Sequence, residues 1–265
     1  MSIHYGKAAV RFYRTDGRST LFAAEVRLDV SGPGFLPAYT QGNNAMVVPT
    51  DTMKNFVHAT ALGYDGAALE EFLALLGRRF LATYAHIEHL ALHGRELVFG
   101  RRGAVLFQQL EGDYEVAELT MDRAGIRRHR SGREALRLIK ITGSSFAQFR
   151  RDDYTTLPEM VDRPLFIHLN VYWRYKAFSD RVSSAAVRDL VMETFTEFVS
   201  KSIQHLLHEM GERVLAHFPA IDEVAFEAEN RLWDTAETSA RDPRVKVYCD
   251  PRPPYGIIGY TRSRG

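Results

Sequence analysis

The sequence predicts an α+β fold in which antiparallel strands and a pair of helices recur twice in the same order. Three observations support this. Apolar and polar residues alternate along several runs, most clearly Ala24, Val26, Leu28 and Val30 against Glu25, Arg27 and Asp29, which is the period of a half-buried strand. Elsewhere apolar residues return every three or four positions, as in Leu69, Phe72, Leu76 and Phe80, the stripe of an amphipathic helix. The second half of the chain then repeats the order of strands, helices and strands without repeating the letters.

Residues 8–14 and 21–31 are expected to pair as a hairpin around Thr15-Asp-Gly-Arg. Thr50 is expected to cap a helix whose Met53, Phe56, Val57 and Thr60 share one face, and Asp65 to open a second. Strands should follow at 87–92, 115–121 and 135–142, while the basic, Gly-containing stretch 125–133 reads as part of a solvent loop. The second half continues with a strand at 165–173, helices at 184–199 and 202–217, and strands at 223–233, 245–248 and 256–261. A boundary near residue 135 gives halves 1–134 and 135–265. Sheets with helices on one face leave open edges, and burying those edges against sister subunits would remove them, so an oligomer is expected.

Composition narrows the function. A chain of 265 residues that is 45% hydrophobic and 25% charged can bury a sizeable core. With 34 basic and 33 acidic residues the formal charge is +1, so nothing in the overall charge favours nucleic acid or an anionic membrane. No apolar run approaches the roughly 20 residues that span a bilayer. One cysteine, Cys249, precludes an internal disulfide and suits a reducing compartment. The final Thr-Arg-Ser-Arg-Gly lacks a Ser-Lys-Leu peroxisomal address, and the expected location is the cytoplasm. Neither a Gly-x-Gly-x-x-Gly nor a phosphate loop is present. His86, His89 and His93 suggest a metal at first sight, but on a strand His86 would face away from the other two, so no metal is expected there. The proline-fixed segment 250–255 reads as structural.

The residues between Leu136 and Arg163 carry the functional argument, with Thr142-Gly-Ser-Ser-Phe146-Ala-Gln-Phe149-Arg-Arg-Asp-Asp-Tyr154 at their centre. Together with Tyr5-Gly-Lys7, Val48-Pro-Thr50-Asp51, Ser202-Ile203-Gln204 and Asn230, in that order, they resemble the signature of the urate oxidase family and in particular its bacterial branch. The resemblance spans most of the chain. It implies a tunnelling fold, in which each half supplies four antiparallel strands and a helix pair, and subunits close into a barrel-like homotetramer. It also implies cofactor-free oxidation of urate by oxygen and water to 5-hydroxyisourate and hydrogen peroxide.

The residue types suit a flat, anionic purine. Arg163 offers a planar fork that can pair with a carbonyl oxygen and a neighbouring ring nitrogen. Gln204 brings a donor and an acceptor on one amide, and Phe146 a face for stacking. Thr50-Asp51 and Ile203-Gln204 fall at expected helix starts, where free N–H groups and the helix dipole favour an anion. The resemblance makes Lys7 and Thr50 a proton relay and has Asn230, with Thr50, hold oxygen over the ring. It also draws Lys7, Thr50 and Asp51 from one subunit and Phe146, Arg163, Ile203, Gln204 and Asn230 from its neighbour. One position departs from the pattern: eukaryotic members place a relay histidine two residues beyond this asparagine, where this chain has Leu232.

Taken singly, each residue has a plainer explanation. A Thr-Asp pair ahead of an apolar run is usually a helix cap, a lone arginine is usually solvated, and a phenylalanine is usually core. Two other functions stay open at this point. One is a purine-binding protein that lost its oxygen chemistry with the histidine; the other is a zinc enzyme of the same fold acting on purines or pteridines.

Overall fold

The computed structural model describes residues 3–265. Two compact units divide the chain, one ending at Gly132 and the other running Arg133–Gly265. Among the described residues no helix is long and apolar enough to cross a membrane.

The first unit opens with β1 (His4–Thr15) and β2 (Leu21–Ser31), paired antiparallel with Phe12 opposite Ala24. Their turn is held by Asp16, whose carboxylate accepts from the backbone N–H groups of Thr20, Arg18 and Ser19 at 3.0, 2.9 and 2.9 Å. Those three donors also push the carboxyl well below the usual range. The short α1 (Leu36–Gln41) leads to α2 (Thr50–Leu62) and α3 (Leu69–Thr83). Next come β3 (His89–Glu96), a small hairpin of β4 (Phe99–Arg101) and β5 (Phe107–Gln109), and β6 (Tyr114–Asp122). The sheet runs β1-β2-β3-β6 and then β7 (Gly125–Lys140), within which the unit ends. Alternation along β2 works as expected, with Ala24, Val26, Leu28 and Val30 fully buried. α2 lies on β1, and α3 lies on β3 and β6. Gly77 of α3 allows the close approach, since a Cβ there would collide with Met121 of β6.

In the second unit the remainder of β7 is followed by β8 (Leu165–Tyr175), α4 (Ser184–Glu197), α5 (Ile203–His217) and β9 (Ile221–Asn230). A side hairpin of β10 (Thr235–Thr238) and β11 (Lys246–Tyr248) then precedes β12 (Gly256–Ser263). The sheet order is β7-β8-β9-β12. Both helices start on serine caps: Ser183 accepts from the Ala186 N–H at 3.4 Å, and Ser202 from that of His205 at 3.1 Å. Leu165, Ile167, Leu169, Val171 and Trp173 alternate into the core beneath α4 and α5. Burying each large apolar side chain in this way contributes about 1.5–3 kcal/mol.

Four expectations are corrected. Residues 125–133 are strand, because the acidic β6 neutralises their charge: Arg130 forks onto Glu118 at 2.8 and 3.0 Å, and Arg127 bonds Asp122 at 2.6 Å. The second helix opens at Leu69, not Asp65, since Ala68 stands at its N-cap and Asp65 bonds Arg14 instead. Strand β9 stops at Asn230, so residues 231–233 lie outside it. Thr50 is the first residue of α2 and caps nothing, Pro49 holding the N-cap position with φ −56°.

Candidate functional site

In the first unit, β1, which carries Lys7, packs against α2, which begins at Thr50. Tyr5 and Lys7 are two residues apart, so their side chains leave the same face of β1. The strand then bulges between Lys7 and Val10, with Ala9 in the left-handed region at φ 54°. Gly6 lies where the strands approach most closely: a Cβ there would sit 2.7 Å from the Asp29 Cα and closer still to the Leu28 carbonyl oxygen. Tyr5 reaches the far side, its hydroxyl accepting from the backbone N–H of buried Val48 at 2.8 Å. That bond fixes the segment Val48-Pro49-Thr50 against the strand that carries Lys7.

The start of α2 is chemically open. The first helical bond runs from the Met53 N–H to the Pro49 carbonyl at 3.1 Å, so the N–H groups of Thr50, Asp51 and Thr52 stand outside the helical ladder. No side chain caps this end, which leaves the Thr50 hydroxyl free for other work. Asp51 is exposed and accepts from Lys54 Nζ at 2.5 Å and Asn55 Nδ2 at 3.2 Å. Lys54 holds its carboxyl below the usual range, and the charge of Lys7 adds to the effect, which places Lys7 within electrostatic reach of this helix end.

In the second unit, the loop from Thr142 to Arg163 returns on itself. Phe146 and Met160 exchange backbone bonds of 2.7 and 2.8 Å, and the Arg163 N–H donates to the Ser144 carbonyl at 2.8 Å. Asp162 closes the loop by accepting from Thr142 Oγ1 at 2.6 Å and the Gly143 N–H at 2.7 Å, and these donors lower its pKa. Arg163 is thereby set over Phe146, its Cζ 5.7 Å from the ring centroid, while Phe149 stacks on Phe146 at 5.0 Å and 14°. Burial pushes the guanidinium pKa down, and its Nε is buried without a hydrogen-bond partner. Buried donors are rarely left unpaired, so this one is poised for an acceptor from outside.

A cleft of about 200 Å³ opens beside Arg163, lined also by Asn230, Leu232, Trp233, Lys246 and Tyr248. Asn230 ends β9, opposite Ile167 on one side and Gly256 on the other. The next residue anchors it: the Arg231 N–H donates to the Phe166 carbonyl at 2.9 Å, and its guanidinium binds Glu229 and lies 3.9 Å from the Tyr255 ring centroid. Leu232 is half exposed and lies beyond the strand, so its place in the cleft comes from the loop and not from strand alternation. Ile203 is buried in the core, so the polar group it offers at the start of α5 is its backbone N–H. Gln204 follows it, exposed.

The structure thus gathers Lys7, Thr50 and Asp51 in one unit, and Phe146, Arg163 and Asn230 in the other, where Ile203 and Gln204 stand at the start of α5. Sequence reasoning missed Tyr5 as a support, Asp162 as the loop's closure and Lys246 as a cation of the cleft; Tyr5 was visible only as a letter of the Tyr5-Gly-Lys7 motif. Of the three histidines, His89 and His93 lie on β3. His86 lies in the turn before β3, its Nε2 3.0 Å from the Met46 carbonyl, and among the described residues no group of three His, Cys, Asp or Glu side chains is placed to hold a metal.

Known proteins resemble this chain along nearly its whole length. The family model described as Uricase matches residues 129–259. A uric acid degradation bifunctional protein from Bacillus sp. (strain TB-90) is 37% identical over 98% of this chain, which spans 60% of that relative's length. Uricase from Haloferax volcanii is 36% identical, with 99% of this chain and 98% of that protein covered. The crystal structure of urate oxidase from Bacillus sp. TB-90 superposes with a TM-score of 0.93 at 37% identity, covering 99% of this chain and 100% of the other.

Proposed function

Since this chain belongs to the uricase family, we propose that it is a urate oxidase acting without metal or organic cofactor. The fold is the tunnelling fold of the matched urate oxidases, antiparallel strands with a helix pair. The observation that carries the proposal is Arg163, whose guanidinium lies over Phe146 with its Nε buried and unpaired, at the edge of a cleft of about 200 Å³. A urate monoanion offers the carbonyl oxygen and ring nitrogen that the Arg163 fork requires, with Phe146 beneath the ring and the Gln204 amide on the adjacent edge. The open N–H groups at the starts of α2 and α5 favour the same negative charge.

Urate, oxygen and water give 5-hydroxyisourate and hydrogen peroxide. Two electrons and two protons pass from the urate–water pair to oxygen, and the water oxygen becomes the new C5 hydroxyl. Lys7 draws a proton through the uncapped Thr50 hydroxyl, which makes the purine electron-rich enough to reduce oxygen. Asn230 and Thr50 hydrogen-bond the developing peroxide, and water then takes its place. Leu232 carries no proton, so the relay is the pair Lys7 and Thr50. The uncapped Thr50 favours this reading over a purine-binding protein without turnover, because a threonine serving only as a helix cap would spend its hydroxyl on the backbone.

The complete site takes Lys7, Thr50 and Asp51 from one subunit and Phe146, Arg163, Ile203, Gln204 and Asn230 from a neighbour in a homotetramer. Mixing tests both claims. Lys7→Met and Arg163→Ala proteins should each turn over far more slowly than wild type alone, and co-assembly should restore about one quarter of the interfacial sites. No recovery from mixed tetramers, with each variant folded, would refute the shared site.

A further inference from the structure

We propose that Tyr5 is a positioning residue that sets the Thr50 hydroxyl against Lys7, a reading that rests on the relay described above. The geometry singles out one atom. Tyr5 stands two residues before Lys7 on the same face of β1, the face on which α2 lies. Its hydroxyl accepts the Val48 N–H at 2.8 Å, and Val48 is joined to Thr50 through Pro49 alone.

Proline fixes the backbone between the bond and the helix start, Pro49 holding φ −56° and ψ 138° at the N-cap. Displacement of Val48 is therefore passed on to Thr50 and is not absorbed between them. On the other side of the bond, Lys7 follows Gly6, where the lack of a Cβ lets the strand lie close against Leu28 and Asp29, and precedes the bulge. Both members of the relay are thus referred to one strand, and the Tyr5 hydroxyl is the link between them.

The ring has a separate role. Tyr5 packs edge-on against buried Phe35, centroids 5.0 Å apart at 87°, a contact that phenylalanine would keep. Tyr5→Phe therefore removes the hydroxyl and little else. It leaves the Val48 N–H buried without a partner, and this end of the chain relaxes toward water.

Proton transfer depends on sub-ångström placement, whereas urate is held chiefly by Arg163, Phe146 and Gln204, with the start of α2 adding a longer-range attraction that tolerates small shifts. Y5F should lower kcat about tenfold and leave KM within about twofold. A purely structural tyrosine would instead lower the amount of folded protein. The decisive measurement is a double-mutant cycle with K7M. If Tyr5 acts through the relay, Y5F costs nothing further in a chain that already lacks Lys7; if both losses multiply, or if Y5F alone keeps its kcat, the proposal is overturned. Amide exchange supplies a readout that needs no turnover. Faster exchange at Val48 and Thr50 in Y5F, with the rest of β1 protected, supports the link, and unchanged exchange overturns it. An unsubstituted protein that fails to oxidise urate would instead sink the functional reading, leaving the exchange result to decide the role of Tyr5.

Discussion

Gly6→Ala is the sharpest perturbation the site offers. The added Cβ would lie 2.7 Å from the Asp29 Cα and nearer still to the Leu28 carbonyl oxygen, where 3.0 Å is the closest that real Cβ atoms come. Both neighbours are backbone, so no side chain can swing aside and the two strands must part. Overpacking of this kind typically costs about 1–3 kcal/mol, which for a chain of this size lowers Tm by roughly 2–10 °C. Catalysis should suffer more than stability. The residue next to Gly6 is Lys7, paired with Leu28 itself, and displacing a catalytic group by on the order of 1 Å costs about a hundredfold in rate. Thermal unfolding and steady-state urate consumption, measured on the same preparation, give the two numbers. An alanine variant with wild-type Tm and wild-type kcat would refute the close approach and, with it, the account of how Lys7 is placed.

Arg163→Ala should weaken urate binding and slow turnover together, whereas Lys7→Met should chiefly lower kcat; equal KM values for the arginine variant and wild type would contradict the first assignment. Xanthine, which lacks the C8 oxygen, should turn over poorly in an oxygen-uptake assay, because an unfilled polar partner costs more than a missing methylene. Lys246 shares the face of β11 with Tyr248, which lines the same cleft and lies tilted against Trp233 with ring centroids 5.1 Å apart; removing its charge in Lys246→Met should raise the Kd for urate about threefold under anaerobic titration, as expected for an exposed cation. Asp162 is held below its ordinary pKa of 3.8 by Thr142 and Gly143. Its closure of the loop is therefore whole above about pH 4 and lost as the pH falls through the lowered value, so Tm of the wild type should drop more steeply below pH 4 than that of Asp162→Asn, and parallel curves would count against this role.

Much of the fold was legible because its signals are local. The stripe of Leu69, Phe72, Leu76 and Phe80 and the alternation of Ala24 to Val30 both carry their meaning within a few residues. Two of the misreadings share one cause, a partner distant in sequence. Residues 125–133 look like a solvated loop until β6 supplies Glu118 and Asp122. Asp65 looks like a cap until Arg14 claims it. Thr50 was expected at the site by resemblance and misread as a cap by propensity, the N-cap position belonging to Pro49 just before it. Tyr5 and Asp162 could not be ranked from the sequence at all, since their roles rest on backbone donors at Val48 and Gly143 that any residue would carry.

The central claim, oxidation of urate by oxygen using this chain's own residues, is tested most directly by following urate absorbance, oxygen uptake and peroxide release together on chelator-treated protein. The account predicts one oxygen consumed and one peroxide released per urate lost, at a rate unchanged by the chelator; tight urate binding without oxygen uptake, or turnover that disappears with the metal, would contradict it.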